Sequence, residues 1–177
     1  MNVRLCYASQ RNEKNEDLLQ DLRDILTEAR DFNDLNGICG VLYYADNAFF
    51  QCLEGEQEVV ERLFEKIQKD QRHYNIKWLC TYSIDEHSFQ RWSMKYVQRN
   101  TNIETFFLNM GENTFNPLLL NQQNLKFFLN ELLIAEQTKM NTVKKSWNGE
   151  SGSKPVLAIR CDTDMDVFEF RYDLCHD

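Results

Sequence analysis

Residues 2–8 alternate with the period of a strand: Val3, Leu5 and Tyr7 fall on one face, and Arg4, Cys6 and Ala8 on the other. A polar stretch from Ser9 to Asn15 follows, and then the period changes. Leu18, Leu22, Ile25, Ala29 and Phe32 recur at helical spacing, and Asn33 lies on the inner or border side of the same helix. Gly37 and Gly40 punctuate the entry to a second strand, Ile38 to Tyr44. The turn Ala45-Asp46-Asn47 joins it to a third strand, Ala48 to Glu54, as a hairpin that Gly55 closes. Val60, Leu63, Phe64 and Ile67 predict a second amphipathic helix reaching about Asp70. Ile76 to Ser83 and Trp92 to Gln98 predict strands four and five.

The order β-α-β-β-α-β-β predicts an α+β ferredoxin-like sandwich with two helices on one sheet face. The opposite face needs cover, because Phe50, Trp78 or its neighbours and the other large apolar residues cannot all point toward two helices. A C-terminal helical extension is the expected cover. Ile103, Phe106, Phe107 and Met110 fit a short helix; Leu125, Phe128, Leu129, Leu132 and Leu133, after Pro117, fit a longer one. Beyond Met140 the character shifts: Lys144 to Lys154 is polar and linker-like, with Gly149 and Gly152. Val156 to Arg160 and Val167 to Tyr172 read as two short strands. The expected organisation is a sandwich domain over 1–100, a helical extension over 101–140, and a linker and tail over 141–177 that is weakly docked, disordered or foreign to the domain.

The 177 residues are 42% hydrophobic and 27% charged, an ordinary globular composition. A formal net charge of −8 argues against direct binding to nucleic acid, whose phosphates need a basic face. Six cysteines (Cys6, Cys39, Cys52, Cys80, Cys161 and Cys175) form no C-x-x-C pair, and four lie in strand-like apolar segments. With no leader segment in view, the expected setting is reducing and cytoplasmic. No apolar run is long enough to span a bilayer. There is no Gly-rich phosphate loop, no G-x-S-x-G and no zinc spacing, so an enzyme is not expected. Asp164 and Asp166 lack the remaining ligands of a calcium loop.

The candidate chemistry begins with Gln51, a glutamine among the apolar positions of strand three. A buried amide must have its donors and acceptor paired, either by protein groups or by a polar ligand against the sheet. Tyr7, on the first strand, is a second buried polar group, and the two form a potential hydrogen-bond switch. Other positions have simple structural readings. His73 suits the cationic end of helix two, Asn33 a cap or turn, and Trp92 with Met94 packing from one face of strand five.

Taken together, Tyr7-Ala8-Ser9, Asn33 with Ile38-Cys39-Gly40, Phe49-Phe50-Gln51 with Leu53-Glu54-Gly55, Asp70-Gln71-Arg72-His73 and Trp92-Ser93-Met94 resemble the BLUF family of blue-light sensors. The resemblance covers roughly residues 2 to 100 and is similar to short, stand-alone bacterial members. It departs from the family at Cys39, where threonine is usual, at Phe32, where some members carry histidine, and at Ala29, where some carry serine.

The resemblance implies noncovalent FAD with its ring between the two helices. Asn33 would bond the polar edge of the ring; Asp70, Arg72 and His73 would serve an outer edge or the phosphate side; Ile25, Leu26, Ile38 and Ile67 would form apolar walls. It also implies a mechanism: the excited flavin takes an electron and a proton from Tyr7 by way of Gln51. The glutamine is left rotated or tautomerised, with a new hydrogen bond that shifts absorption to the red. Trp92 and Met94 would respond to Gln51 and relay the change. Output is then expected through a protein partner, a transcriptional or signalling regulator, with homo-oligomerisation open and no membrane involved. Three rival readings stand beside it: a flavin-dependent oxidoreductase, a ferredoxin-like ligand-binding regulatory domain, and an RNA-binding sheet, which the acidic balance opposes.

Overall fold

A computed structural model describes residues 1–14 and 17–138. The alternating segments become β1 (Asn2–Arg11), β2 (Cys39–Ala45), β3 (Ala48–Glu56), β4 (His73–Ser83) and β5 (Lys95–Gln98). The helical ones become α1 (Leu18–Asn36), α2 (Gln57–Ile67), α3 (Thr101–Leu108) and α4 (Leu125–Ile134). The sheet order is β4-β1-β3-β2-β5. Its four antiparallel strands and two helices are the ferredoxin-like arrangement, and β5 adds to the edge, parallel to β2.

Local chemistry explains the element ends. The Asp17 side chain caps α1 by accepting from the Gln20 N–H, and Gly37, at φ 64°, ends the helix in the left-handed region that glycine adopts without strain. Ala45 pairs with Ala48 around a two-residue loop in which Asp46 (φ 47°) and Asn47 (φ 59°) both take positive φ. That is the type I′ geometry whose twist matches a hairpin.

The two sheet faces differ in chemistry. Tyr7 and Gln51 point toward α1 and α2. Phe50, Cys52, Val41, Tyr43 and Val97 point the other way into a core with Phe107, Phe115, Phe128 and Leu132, so the C-terminal helices cover the far face as expected. Aromatic edges interlock there, with ring centroids 5.0 Å apart for Phe50–Phe128 and 4.7 Å for Tyr43–Phe115. Full burial of each such side chain contributes about 1.5–3 kcal/mol. Met1–Gln137 form one compact unit.

Three expected boundaries move. Helix α2 ends at Ile67, so His73 is not at a helix end but opens β4, which starts there instead of at Ile76. Strand β5 starts at Lys95, leaving Trp92, Ser93 and Met94 in the segment before it. Trp78 is 56% exposed on edge strand β4, outside the covered core. The short strands read at 156–160 and 167–172, and Asp164 with Asp166, lie outside the described residues. Among those described, no helix is long and apolar enough to cross a membrane, and no acidic, cysteine or histidine cluster is arranged to hold a metal ion.

Candidate functional site

Tyr7 and Gln51 are direct cross-strand partners in the β1–β3 pair. Both are buried, and the Tyr7 hydroxyl donates to Gln51 Oε1. The amide Nε2 is directed to Met94 Sδ at 3.6 Å. These two contacts assign the amide orientation, oxygen to the phenol and nitrogen to the thioether. Burial, and secondarily the Asp70 charge, push the Tyr7 pKa up, so its hydroxyl stays protonated throughout the physiological range.

A cavity of about 300 Å³ opens beside this pair. The sheet contributes Tyr7, Leu42, Phe49 and Gln51 to its lining, and α1 contributes Ile25, Glu28, Ala29, Phe32 and Asn33. Leu63, Lys66 and Ile67 of α2, and Lys69, Asp70, Arg72 and His73 after it, complete the wall. Ile25, Ala29 and Phe32, the stripe that marked α1 as amphipathic, are only half-buried because they face this cavity.

Asn33 is completely buried, yet its Oδ1 has no hydrogen-bond partner. Its Nδ2 donates to the Ser93 carbonyl at 2.7 Å, which fixes which end of the amide is free. A buried acceptor left unpaired costs about 1–3 kcal/mol, so the position calls for a ligand N–H or O–H.

The mouth is charged. Arg72 bonds Asp70 through Nε (2.9 and 3.0 Å) and Nη2 (2.5 Å), and reaches Glu28 of α1 through Nη2 at 2.6 Å. Burial would raise the Asp70 pKa, but its bonds to Arg72 outweigh that and hold it below the ordinary carboxylate value. His73 is tied to protein at both nitrogens, to the Ile67 carbonyl at 3.0 Å and to Ser9 Oγ at 2.9 Å. The carbonyl can only accept, so Nε2 carries a proton, whereas the Ser9 hydroxyl can donate to the Nδ1 of a neutral ring or accept from that of a protonated one. Burial lowers the His73 pKa and so favours the neutral ring. His73 is therefore a wall of the cavity, standing edge-on to Phe49.

Three expected positions are not part of the cavity lining: Leu26, which is buried, Ile38 and Trp92. Ile38 is buried beside Gly55, where a Cβ would come 3.1 Å from its side chain. Trp92 packs on the far-face core, opposite to Met94, because the segment is not a strand and their side chains do not share a face. Residues that the sequence did not single out also line the cavity. Leu42 and Phe49 were accessible from strand alternation with Gln51; Glu28, Lys66 and Lys69 look like ordinary solvent-facing helix positions and carried no signal. The cysteine departure is accommodated: Cys39 Sγ–H faces Glu54 Oε2 at 3.6 Å, in a buried carboxylate that Arg4 Nε (2.7 Å) and the Phe89 N–H (3.0 Å) also bind.

The donor set suits a flavin ring. Its pyrimidine end carries one N–H donor between two carbonyl acceptors, complementary to the free Oδ1 and the amide N–H groups of Asn33. Its flat remainder suits the apolar surfaces of Ile25, Leu42, Phe49 and Ile67. A cavity of this size lies at the small end of ligand sites and takes the ring system with its tail at the charged mouth.

Comparison with known proteins agrees. The BLUF family, described as sensors of blue-light using FAD, matches residues 3–95. The blue light- and temperature-regulated antirepressor BluF of Escherichia coli (strain K12) is 26% identical over 143 residues, covering 78% of this chain and 34% of the relative. The chain thus spans about a third of that relative's length. Among solved structures, the dark state of the BLUF protein BlrB superposes with a TM-score of 0.62 at 26% identity, over 75% of this chain and 94% of that one. Klebsiella pneumoniae BlrP1 with FMN and cyclic diGMP gives 0.57 at 25% identity, over 75% and 34%.

Proposed function

This chain belongs to the BLUF family of blue-light flavin sensors, and from that premise we propose that it is a photoreceptor holding FAD in the α1–α2 cavity and signalling through the Gln51 amide. The observation that carries this reading is one connected set: Tyr7 hydroxyl, Gln51 amide and Met94 thioether in line, beside a buried Asn33 oxygen with no partner.

Asn33 holds the polar end of the ring. Ile25, Phe49 and Ile67 flank it. Lys66 and Lys69 supply cationic charge for the phosphate arm, which favours FAD over a flavin without phosphates. Arg72 and Asp70 brace the mouth, since the guanidinium is already engaged by two carboxylates. Bound there, a flavin excited by blue light supplies a one-electron oxidant and a proton acceptor.

Every other part of the cycle belongs to the chain. Tyr7 gives up an electron, which makes its buried phenol acidic, and Gln51 Oε1 is the atom in position to take the proton. Electron and proton then return to Tyr7, which restores the phenol, and the amide is left turned by half a turn: Nε2–H faces the Tyr7 oxygen, and Oε1, again without a proton, faces Met94 Sδ. Neither member of the second pair carries a proton, so the Met94 contact is lost. One neutral hydrogen bond is worth about 1 kcal/mol net, enough to bias a balanced equilibrium several-fold but not to unfold a domain. Output is therefore a modest population shift read by a protein partner. The domain over 1–100 senses and the extension over 101–140 carries the signal.

The test has two readouts. Flavin released from the purified protein should chromatograph as FAD, and blue light should move its visible absorption reversibly to the red. A colourless protein that flavin cannot reconstitute contradicts the reading. Steady NAD(P)H oxidation would instead favour a flavin-dependent oxidoreductase.

A further inference from the structure

We propose that Lys95 is the residue that couples the Gln51 switch to helix α4, as a buried latch between the sheet and the last turn of that helix. The inference rests on the sensor reading above and adds the path by which it leaves the sheet.

Met94 and Lys95 are consecutive but serve opposite sheet faces. Met94 Sδ meets Gln51 Nε2 at 3.6 Å. Lys95 Nζ donates to the Leu133 carbonyl at 2.8 Å and stands 4.4 Å from the centre of the Trp92 ring. Only 1% of Lys95 is exposed. A lysine this buried usually has a carboxylate partner; the partners described here are a carbonyl and an aromatic ring, neither of them charged. Leu133 lies in the last turn of α4, where carbonyls have no partner within the helix and the helix dipole favours a cation. Removing the ammonium from this place strands both groups, so the latch has two arrangements: closed on Leu133, or open with the amine in water. Burial lowers the Lys95 pKa, which fits a charge held by few compensating contacts.

The backbone around the latch is pinned from the cavity side. Asn33 Nδ2 holds the Ser93 carbonyl at 2.7 Å, and Arg30 Nε holds the Met94 carbonyl at 3.2 Å. Rotation of the Gln51 amide removes the donor from Met94, and any resulting shift passes across a single peptide bond to Lys95. Trp92 is thus a relay partner on the far face and not a neighbour of the ring.

The test uses the full chain loaded with FAD. Backbone hydrogen exchange is compared in darkness and under continuous blue light for the wild type and for Lys95→Met, which keeps apolar bulk and removes the cation. Wild-type amides at the end of α4, residues 129–135, should exchange faster in the light by about fivefold, the change that one ordinary hydrogen bond supports. In Lys95→Met that light dependence should vanish while the red shift remains. An equal light effect in both proteins overturns the latch, and so does a normal wild-type red shift with silent α4 amides. Absence of any red shift in the wild type contradicts the sensor reading instead. Wild-type protein alone gives a second measurement: amine acylation followed by mass spectrometry should find Lys95 protected in the dark and about fivefold more reactive in the light. Equal reactivity in both states also overturns the proposal, whether or not the variant folds.

Discussion

The hydroxyl of Tyr7 donates to Oε1 of Gln51 across a directly opposed antiparallel pair, on the sheet face that α1 and α2 cover. Strand side chains alternate, so a slip of one residue in β3 would turn Gln51 into the aromatic core and Phe50 into the cavity. Two features hold the β2–β3 register: the Asp46-Asn47 turn, and Gly40, where a Cβ would run into the Cys52 carbonyl.

Asn33→Ala removes a buried acceptor at the cavity that lacks a protein partner. Flavin affinity of the apoprotein is predicted to fall by about tenfold, the cost of one buried hydrogen bond. Titration followed by quenching of flavin fluorescence measures it, and an unchanged affinity would place the ring elsewhere.

His73 links stability to pH. Its pKa is lowered from 6.5 by burial, so below about pH 6.5 the unfolded chain binds a proton that the folded one resists. The unfolded state then holds more protons, and stability falls as pH falls through that window. Denaturant midpoints at pH 7.5 and 5.5 should show this loss, and His73→Gln should flatten the slope. An unchanged slope in the variant would assign the effect to other groups.

Phe128 is fully buried and lies 5.0 Å from Phe50, ring centre to ring centre, joining α4 to the central strand. Phe128→Ala is predicted to destabilise the protein by about 3–5 kcal/mol, as large core truncations do. Urea unfolding with flavin bound tests this. A loss below about 1 kcal/mol would mean that α4 does not unfold with the sheet.

Much of this was legible in the chain. Alternation marked β1, apolar runs on either side of the Asp46-Asn47 turn marked β2 and β3, and the 3.6-residue stripe marked α1 and α4. The boundaries after α2 and before β5 were not. Asp70 and Arg72 look like the polar end of a helix, but Asp70 accepts the Arg72 N–H at 2.9 Å and turns the chain, so β4 starts at His73. Trp92 and Met94 alternate like strand residues. Yet the Ser93 and Met94 carbonyls go to the Asn33 and Arg30 side chains and not to a ladder. Ile38, apolar and at the entry to β2, reads like a cavity wall, but it packs locally against Gly55, where there is no side chain to exclude it. Side-chain capture of backbone groups has no periodicity to betray it.

The most direct measurement is the light-minus-dark visible difference spectrum of Tyr7→Phe and Gln51→Leu, each loaded with FAD, beside the wild type. Neither substitution removes Asn33 or the apolar walls, so both variants should remain yellow. The wild type should show a reversible red shift, and both variants should show none, because one lacks the hydroxyl proton and the other the amide that receives it. A wild-type shift preserved in either variant would contradict the Tyr7–Gln51 switch.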